Sequence, residues 1–178
     1  MNLPNKLTLS RFVIAAIVAL VFLLDILDEE YRDYVTALVF LCGVITDFLD
    51  GYIARKYNQI TVFGIFADPI ADKVLIVSAM ISLVFVRRLS PFVAIALIER
   101  DLVMTGFRLI AAEQGAVIPA SISGKMKTFI EIILVLYLLL NFDISYIKEV
   151  LIGISIVLAY YSLIRVMLIH KSVFGQIH

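Results

Sequence analysis

Cysteine is nearly absent from this chain: Cys42 is the only one. An intrachain disulfide is therefore excluded. Cys42 lies in an apolar run, where a free cysteine is expected to pack as core. Histidine is as scarce, with only His170 and His178, and no Cys/His cluster offers a zinc site. Neither sign of charge dominates. Fifteen Lys and Arg balance fifteen Asp and Glu, which points away from nucleic acid or another polyanion as partner. The start, MNLPNKLTLSR, has no strongly basic leader, and the run after it has no clear small-residue cleavage site. It also lacks the Arg/Ser-rich character of a transit peptide, so the first apolar run is expected to remain in the mature protein. Low-complexity tracts, internal repeats and soluble appendages are missing as well.

What the chain has in abundance is hydrophobicity: 62% of 178 residues and a mean hydropathy of +1.04. Soluble domains are nearer 45–50% apolar. An integral membrane protein is expected, all-α and polytopic, with six transmembrane helices after a short N-terminal interfacial segment at 2–11. One domain, 1–178, accounts for this length. The spans are expected at 8–27, 34–55, 67–87, 90–112, 125–141 and 146–169. Asp28, Glu29, Glu30, Arg32 and Asp33 read as an acidic hairpin loop, Lys56 to Gly64 as a connecting loop, and Gly115, Pro119 and Gly124 as a later one. Six spans put both termini on one side. Lys6, Arg11, Arg55, Lys56, Lys73, Arg100, Arg108, Lys125, Lys127, Arg165 and Lys171 fall on that side, against Arg32, Arg87, Arg88 and Lys148. That bias makes it the expected cytoplasmic side.

The chemistry concentrates in DFLDGYIARKYNQITVFGIFADPIADK, from Asp47 to Lys73. Uncharged runs of 13 residues flank it, YVTALVFLCGVIT and VLIVSAMISLVFV. A spanning helix needs roughly 20 residues, so the helices must continue into the charged ends and draw the aspartates toward the apolar zone. Carboxylates there need a cation, a partner or water. Asp47 and Asp50 are spaced i,i+3, and Asp68 and Asp72 i,i+4, so each pair shares a helix face. A tight return between Asp50 and Asp68 lets the two helix ends meet. Four converging anions cannot all stay charged unless cations join them. Hard divalent ions suit such oxygen donors, with Mg²⁺ favoured where phosphates complete the shell. Gly51 removes a side chain where a ligand approaches, Ala54 is small, Arg55 suits phosphate, and Gly64 permits a turn or a close approach. Asp68-Pro69 reads as a helix start.

The pattern D-x2-D-G-x2-A-R-x8-G-x3-D-x3-D resembles the signature of the CDP-alcohol phosphotransferase family. Asp47, Asp50, Gly51, Ala54, Arg55, Gly64, Asp68 and Asp72 meet all eight positions. Chance would give such a match on the order of once in 10¹⁰ starts. The opening N-x-P-N-x-L-T-x-x-R, at Asn2, Pro4, Asn5, Leu7, Thr8 and Arg11, is similar to the bacterial phosphatidylglycerophosphate synthase branch. So are Glu99-Arg100-Asp101 with Arg108, and Gly124-Lys125-Met126-Lys127-Thr128. The branch usually has Arg-Glu where this chain has Arg100-Asp101. It often has Gln a few residues after the Lys-Thr, where Glu131 stands here.

The resemblance implies transfer of a phosphatidyl group from CDP-diacylglycerol to glycerol 3-phosphate, with release of CMP. Asp47, Asp50, Asp68 and Asp72 would hold two divalent ions, Mg²⁺ or Mn²⁺, and Asp72 would also act as base. Gly51, Ala54, Arg55 and Gly64 would shape the CDP pocket. Thr8 and Arg11 are open between that site and a cap or interfacial anchor. Arg100, Arg108, Lys125 and Lys127 form a basic set suited to the acceptor phosphate. Lys125 and Lys127 also suit headgroup anchoring, and Arg100 also suits pairing with Glu99 or Asp101. A homodimer in membrane lipid is implied too. Two alternatives stand beside this reading: the same chemistry on phosphatidylglycerol, inositol phosphate or serine, and an ion carrier using the aspartates for transport.

Overall fold

The computed structural model describes residues 3–24, 27–56, 62–113, 118–119, 121–142 and 144–170; side chains at 3–6, 23, 50–52, 54–55, 62–69 and 113 lie outside that description. Among the described residues the protein is all-helical: α1 (Leu3–Leu23), α2 (Glu29–Lys56), α3 (Val62–Phe85), α4 (Pro91–Glu113), α5 (Ile122–Leu139) and α6 (Ser145–Ile169). Ser145–Ile169 is the one described helix long and apolar enough to cross a membrane by length and composition, and Leu7–Phe22 is a shorter apolar stretch. The outward faces of all six nevertheless expose large apolar side chains, among them Val13, Phe48, Ile81, Phe92, Phe129 and Val157.

Two compact units divide the chain: Met1–Leu89 with Val135–Phe142, and Ser90–Leu134 with Asp143–His178. In the first, α1 packs extensively on both α2 and α3. Its buried stripe is Thr8, Arg11, Ala15, Val18 and Phe22, each no more than 1% exposed. The alternating three- and four-residue steps keep one face toward the neighbours. The facing stripe of α2 is Asp33, Thr36, Ala37, Phe40 and Gly43, and that of α3 is Ala71, Leu75, Ala79, Ser82 and Leu83. Gly43 makes the close approach possible, since a Cβ there would meet Leu75 Cδ2 at 2.7 Å and Ile14 Cγ2 at 3.1 Å.

A charged network closes the end of this unit remote from Asp47. Arg88 donates to Asp33 (2.7 Å), Glu29 (3.0 Å) and the Leu139 carbonyl in the last turn of α5 (3.2 Å). That terminus leaves carbonyls without intrahelical donors, and Arg88 supplies one. Arg32 lies over the Phe22 ring, 5.3 Å from its centroid. Arg87 and Asn141 end α3 and α5 in left-handed conformations, with φ of 60° and 54°, as residues just past a helix end often do.

In the second unit α4 packs on α6, with Met104, Phe107 and Ala111 against Leu163 and Val166. Arg100 Nε donates to the Ala159 carbonyl at 2.8 Å, and its Nη2 bonds to Ser162 Oγ.

Several boundaries differ from the sequence reading. The N-terminal lead is not a separate interfacial segment, because α1 begins at Leu3. Most of the acidic loop is helix: Glu29 and Glu30 occupy the first turn of α2, where negative charge complements the helix dipole. Gly64 and Asp68-Pro69 fall inside α3 rather than at a turn and a helix start. Gly124 lies inside α5, whose start is capped by Ser121 Oγ accepting the Gly124 N–H at 3.1 Å. Gly115 lies outside the described residues. Cys42 is exposed rather than core, because the buried stripe of α2 passes through Phe40 and Gly43 and turns Cys42 outward.

Candidate functional site

The stripe geometry of α2 explains where Asp47 sits. Counting from Phe40 through Gly43, the next position in phase is Asp47, one turn beyond the last apolar contact. Its side chain is 43% exposed, yet its Oδ1 accepts a hydrogen bond from Arg11 Nη1, and the Arg11 side chain is 0% exposed. On α3, Asp72 follows the fully buried Ala71 and is itself half-buried. Asp47 and Asp72 thus stand on the two helices that α1 contacts. The side chains of Asp50, Arg55 and Asp68 lie outside the described residues, as do those of Gly51, Ala54 and Gly64, although the backbone at all six positions is helical. Among the described residues no group of three or more His, Cys, Asp or Glu gathers to hold a metal ion. The donor set fits one by its chemistry. Carboxylate oxygens are the ligands Mg²⁺ and Mn²⁺ take, and of the described members Asp47 is 43% exposed and Asp72 half-buried.

Thr8 is fully buried one turn before Arg11. An interfacial anchor keeps its charged head in water, so the anchor reading of Arg11 fails. The position was readable in principle: Thr8, Arg11, Ala15, Val18 and Phe22 already share a face by spacing alone.

The basic set divides in two. Lys127 Nζ lies 2.6 Å from Asp101 Oδ2 and 2.5 Å from Glu131 Oε2, and Arg100 Nη1 lies 2.8 Å from Asp101 Oδ1. Lys127 and Glu131 are each 1% exposed and Arg100 is 7%. Two cations and two carboxylates therefore neutralise each other in a buried cluster. Arg108 and Lys125 are exposed and make no ion pair among the described residues. The sequence reading grouped all four as acceptor residues. The structure joins Arg100 and Lys127 through Asp101 and leaves Arg108 and Lys125 outside that cluster.

A cavity of about 340 Å³ lined by Glu29, Glu30, Asp33, Tyr34, Leu140 and Asn141 is not part of the aspartate site. Asp33 and Asp47 are 14 residues apart on α2, roughly 21 Å along its axis.

Among the described residues the protein is all-α, with Asp47 on α2 against the buried Arg11 of α1 and Asp72 on α3. The chain belongs to the CDP-alcohol phosphatidyltransferase family, whose model matches residues 1–161. It is 40% identical over 149 residues to a Bacillus subtilis CDP-diacylglycerol–glycerol-3-phosphate 3-phosphatidyltransferase, covering 79% of this chain and 77% of that protein. A Rickettsia felis protein of the same name is 36% identical over 140 residues, covering 79% and 76%. One from Shigella flexneri is 34% identical over 171 residues and covers 92% of both chains.

Proposed function

We propose that this enzyme transfers the phosphatidyl group of CDP-diacylglycerol to glycerol 3-phosphate, giving phosphatidylglycerophosphate and CMP in phospholipid biosynthesis. The observation that carries this reading is the similarity, over most of the chain, to relatives named for that reaction. The complete eight-position aspartate motif stands within it.

Asp47, Asp50, Asp68 and Asp72 are the residues suited to hold two divalent cations, Mg²⁺ or Mn²⁺. When bound, the cations supply positive charge to the donor diphosphate and to the departing CMP. Asp72 accepts the proton of the acceptor hydroxyl as its oxygen attacks the phosphatidyl phosphorus. The bond from that phosphorus to the CMP oxygen breaks, and CMP leaves with the electron pair. Gly51, Ala54, Arg55 and Gly64 admit and bind the cytidine diphosphate. Arg108 and Lys125, the cations outside the neutral cluster, bind the acceptor phosphate. Arg100 and Lys127 support that region through Asp101. Such chemistry rests mainly on alignment and electrostatics.

The six helices are read as six spans in a bacterial inner membrane. Their exposed apolar faces support this, since large apolar patches on a protein surface mark contact with lipid or protein. The motif side is read as cytoplasmic. Of the basic residues on the opposite side, Arg32 and Arg88 are engaged with Glu29 and Asp33, which weakens their weight against that orientation. A homodimer belongs to the same reading.

The test is CMP release from CDP-diacylglycerol by purified protein, with and without Mg²⁺ or Mn²⁺ and glycerol 3-phosphate. Release that needs both, with phosphatidylglycerophosphate as product, is expected. Release only with another alcohol would keep the chemistry and replace the acceptor. Ion flux in proteoliposomes without CMP release would favour a carrier.

A further inference from the structure

Arg11 and Asp47 form an ion pair with unequal burial. The cation is 0% exposed and the anion 43%. A surface ion pair leaves both heads in water, and a structural pair in a core leaves neither. Here the guanidinium is sealed between helices and the carboxylate turns outward, so Arg11 holds Asp47 from behind. A guanidinium cannot escape the cost of burial by deprotonating, so its position is sustained by the negative charge it meets. Arg11 lies on α1, the helix packed against both α2 and α3, and those helices carry the two aspartate pairs. Asp47 is one turn past Gly43, where a Cβ would run into Leu75 and Ile14. Clustered carboxylates repel one another unless positive charge lies among them. Before any divalent cation binds, that charge must come from the protein.

We propose that Arg11 is a positioning residue, the built-in counter-charge that holds Asp47 in place until the divalent cation binds. This rests on the reading of Asp47 as a cation ligand. The guanidinium and the cation then act on the same negative charge. Loss of Arg11 should weaken the metal-free protein most, and the cation should make good much of the loss.

The test compares melting temperatures of the full-length wild type, Arg11→Met, Arg11→Lys and Arg11→Met/Asp47→Asn in detergent, in chelator and in saturating Mn²⁺. Mn²⁺ binding is followed in parallel by the paramagnetic resonance of the free ion. Arg11→Met is expected to melt about 5 °C or more below wild type in chelator and less than half as far below it in Mn²⁺. It should bind Mn²⁺ more tightly than wild type. Arg11→Lys, which keeps the charge, should stay near wild type in both conditions. The double variant should regain most of the loss in chelator. An equal deficit with and without Mn²⁺ would mean that Arg11 only packs, and would overturn the proposal. If Arg11→Met does not fold in chelator, Mn²⁺ or the Asp47→Asn change is expected to restore folding, and failure of both overturns the proposal. If wild type itself neither binds Mn²⁺ nor shifts with it, the reading of Asp47 as a cation ligand fails instead.

Discussion

Lys127 and Glu131 stand one turn apart on α5, each 1% exposed, with Nζ 2.5 Å from Oε2. Asp101 completes the arrangement from α4 by accepting two hydrogen bonds from the same ammonium, at 2.7 and 2.6 Å. Lys127→Met would leave Glu131 buried without its cation. Removing one partner of a buried pair costs about 3–5 kcal/mol, whereas replacing both with apolar groups is often neutral. Lys127→Met is expected to lower the melting temperature sharply, and Lys127→Met/Glu131→Leu to recover most of it. A double variant no better than the single one would show that the pair is not the stabilising unit.

Arg108 has no ion-pair partner among the described residues and is exposed on α4. As an acceptor-phosphate ligand it would contribute a charge-assisted hydrogen bond. Arg108→Ala should then raise the KM for glycerol 3-phosphate by about 10-fold or more and change the KM for CDP-diacylglycerol by less. Steady-state kinetics with each substrate varied in turn checks this; equal changes would remove Arg108 from an acceptor-specific role.

Asp72→Asn keeps size and shape and removes the base. Turnover should fall by about 10²–10⁴-fold, while binding of CDP-diacylglycerol is mostly retained. Single-turnover CMP release paired with equilibrium binding separates the two effects. Near-normal turnover would place the base elsewhere.

Arg88 serves two carboxylates and the last turn of α5. Asp33 is 5% exposed and Arg32 Nε lies 3.7 Å from it, so Arg88→Met would remove its hydrogen-bonded cation, leave the longer Arg32 contact and cost up to about 3–5 kcal/mol. Unfolding in detergent is the measurement, with Arg88→Met/Asp33→Leu as the compensating variant. Wild-type stability in the single variant would show that Arg32 alone suffices for Asp33.

The family was legible because the chemistry of its aspartate motif fixes both residue type and spacing. Six helices were legible because the apolar runs are separated by charge and Pro/Gly. The boundaries were less so. Glu29 and Glu30 look like loop residues until the helix dipole is considered. Pro69 looks like a helix start until α3 is seen to begin at Val62. Buried cations were the least legible. Arg11, Arg88 and Lys127 read in sequence as anchors, topological signals or phosphate ligands, because a list of residues does not show which carboxylate lies across the next helix. Arg88 answers Asp33, which lies 55 residues away in the chain. Lys127 answers Asp101, 26 residues away. Spacing along one helix reveals neither pair.

The stripe on α1 has a further consequence. Arg11 must meet Asp47 at one end, and Phe22 must meet Arg32 at the other. Eleven residues at 100° each make three full turns with about 20° left over, so both contacts lie in phase on one rod. The stretch between them works as a ruler whose letters can change but whose count cannot. Inserting or deleting a single residue there would swing one end by about 100° and forfeit either the aspartate contact or the aromatic one. Substitutions among outward residues such as Val13 and Ile17 would leave both ends in register.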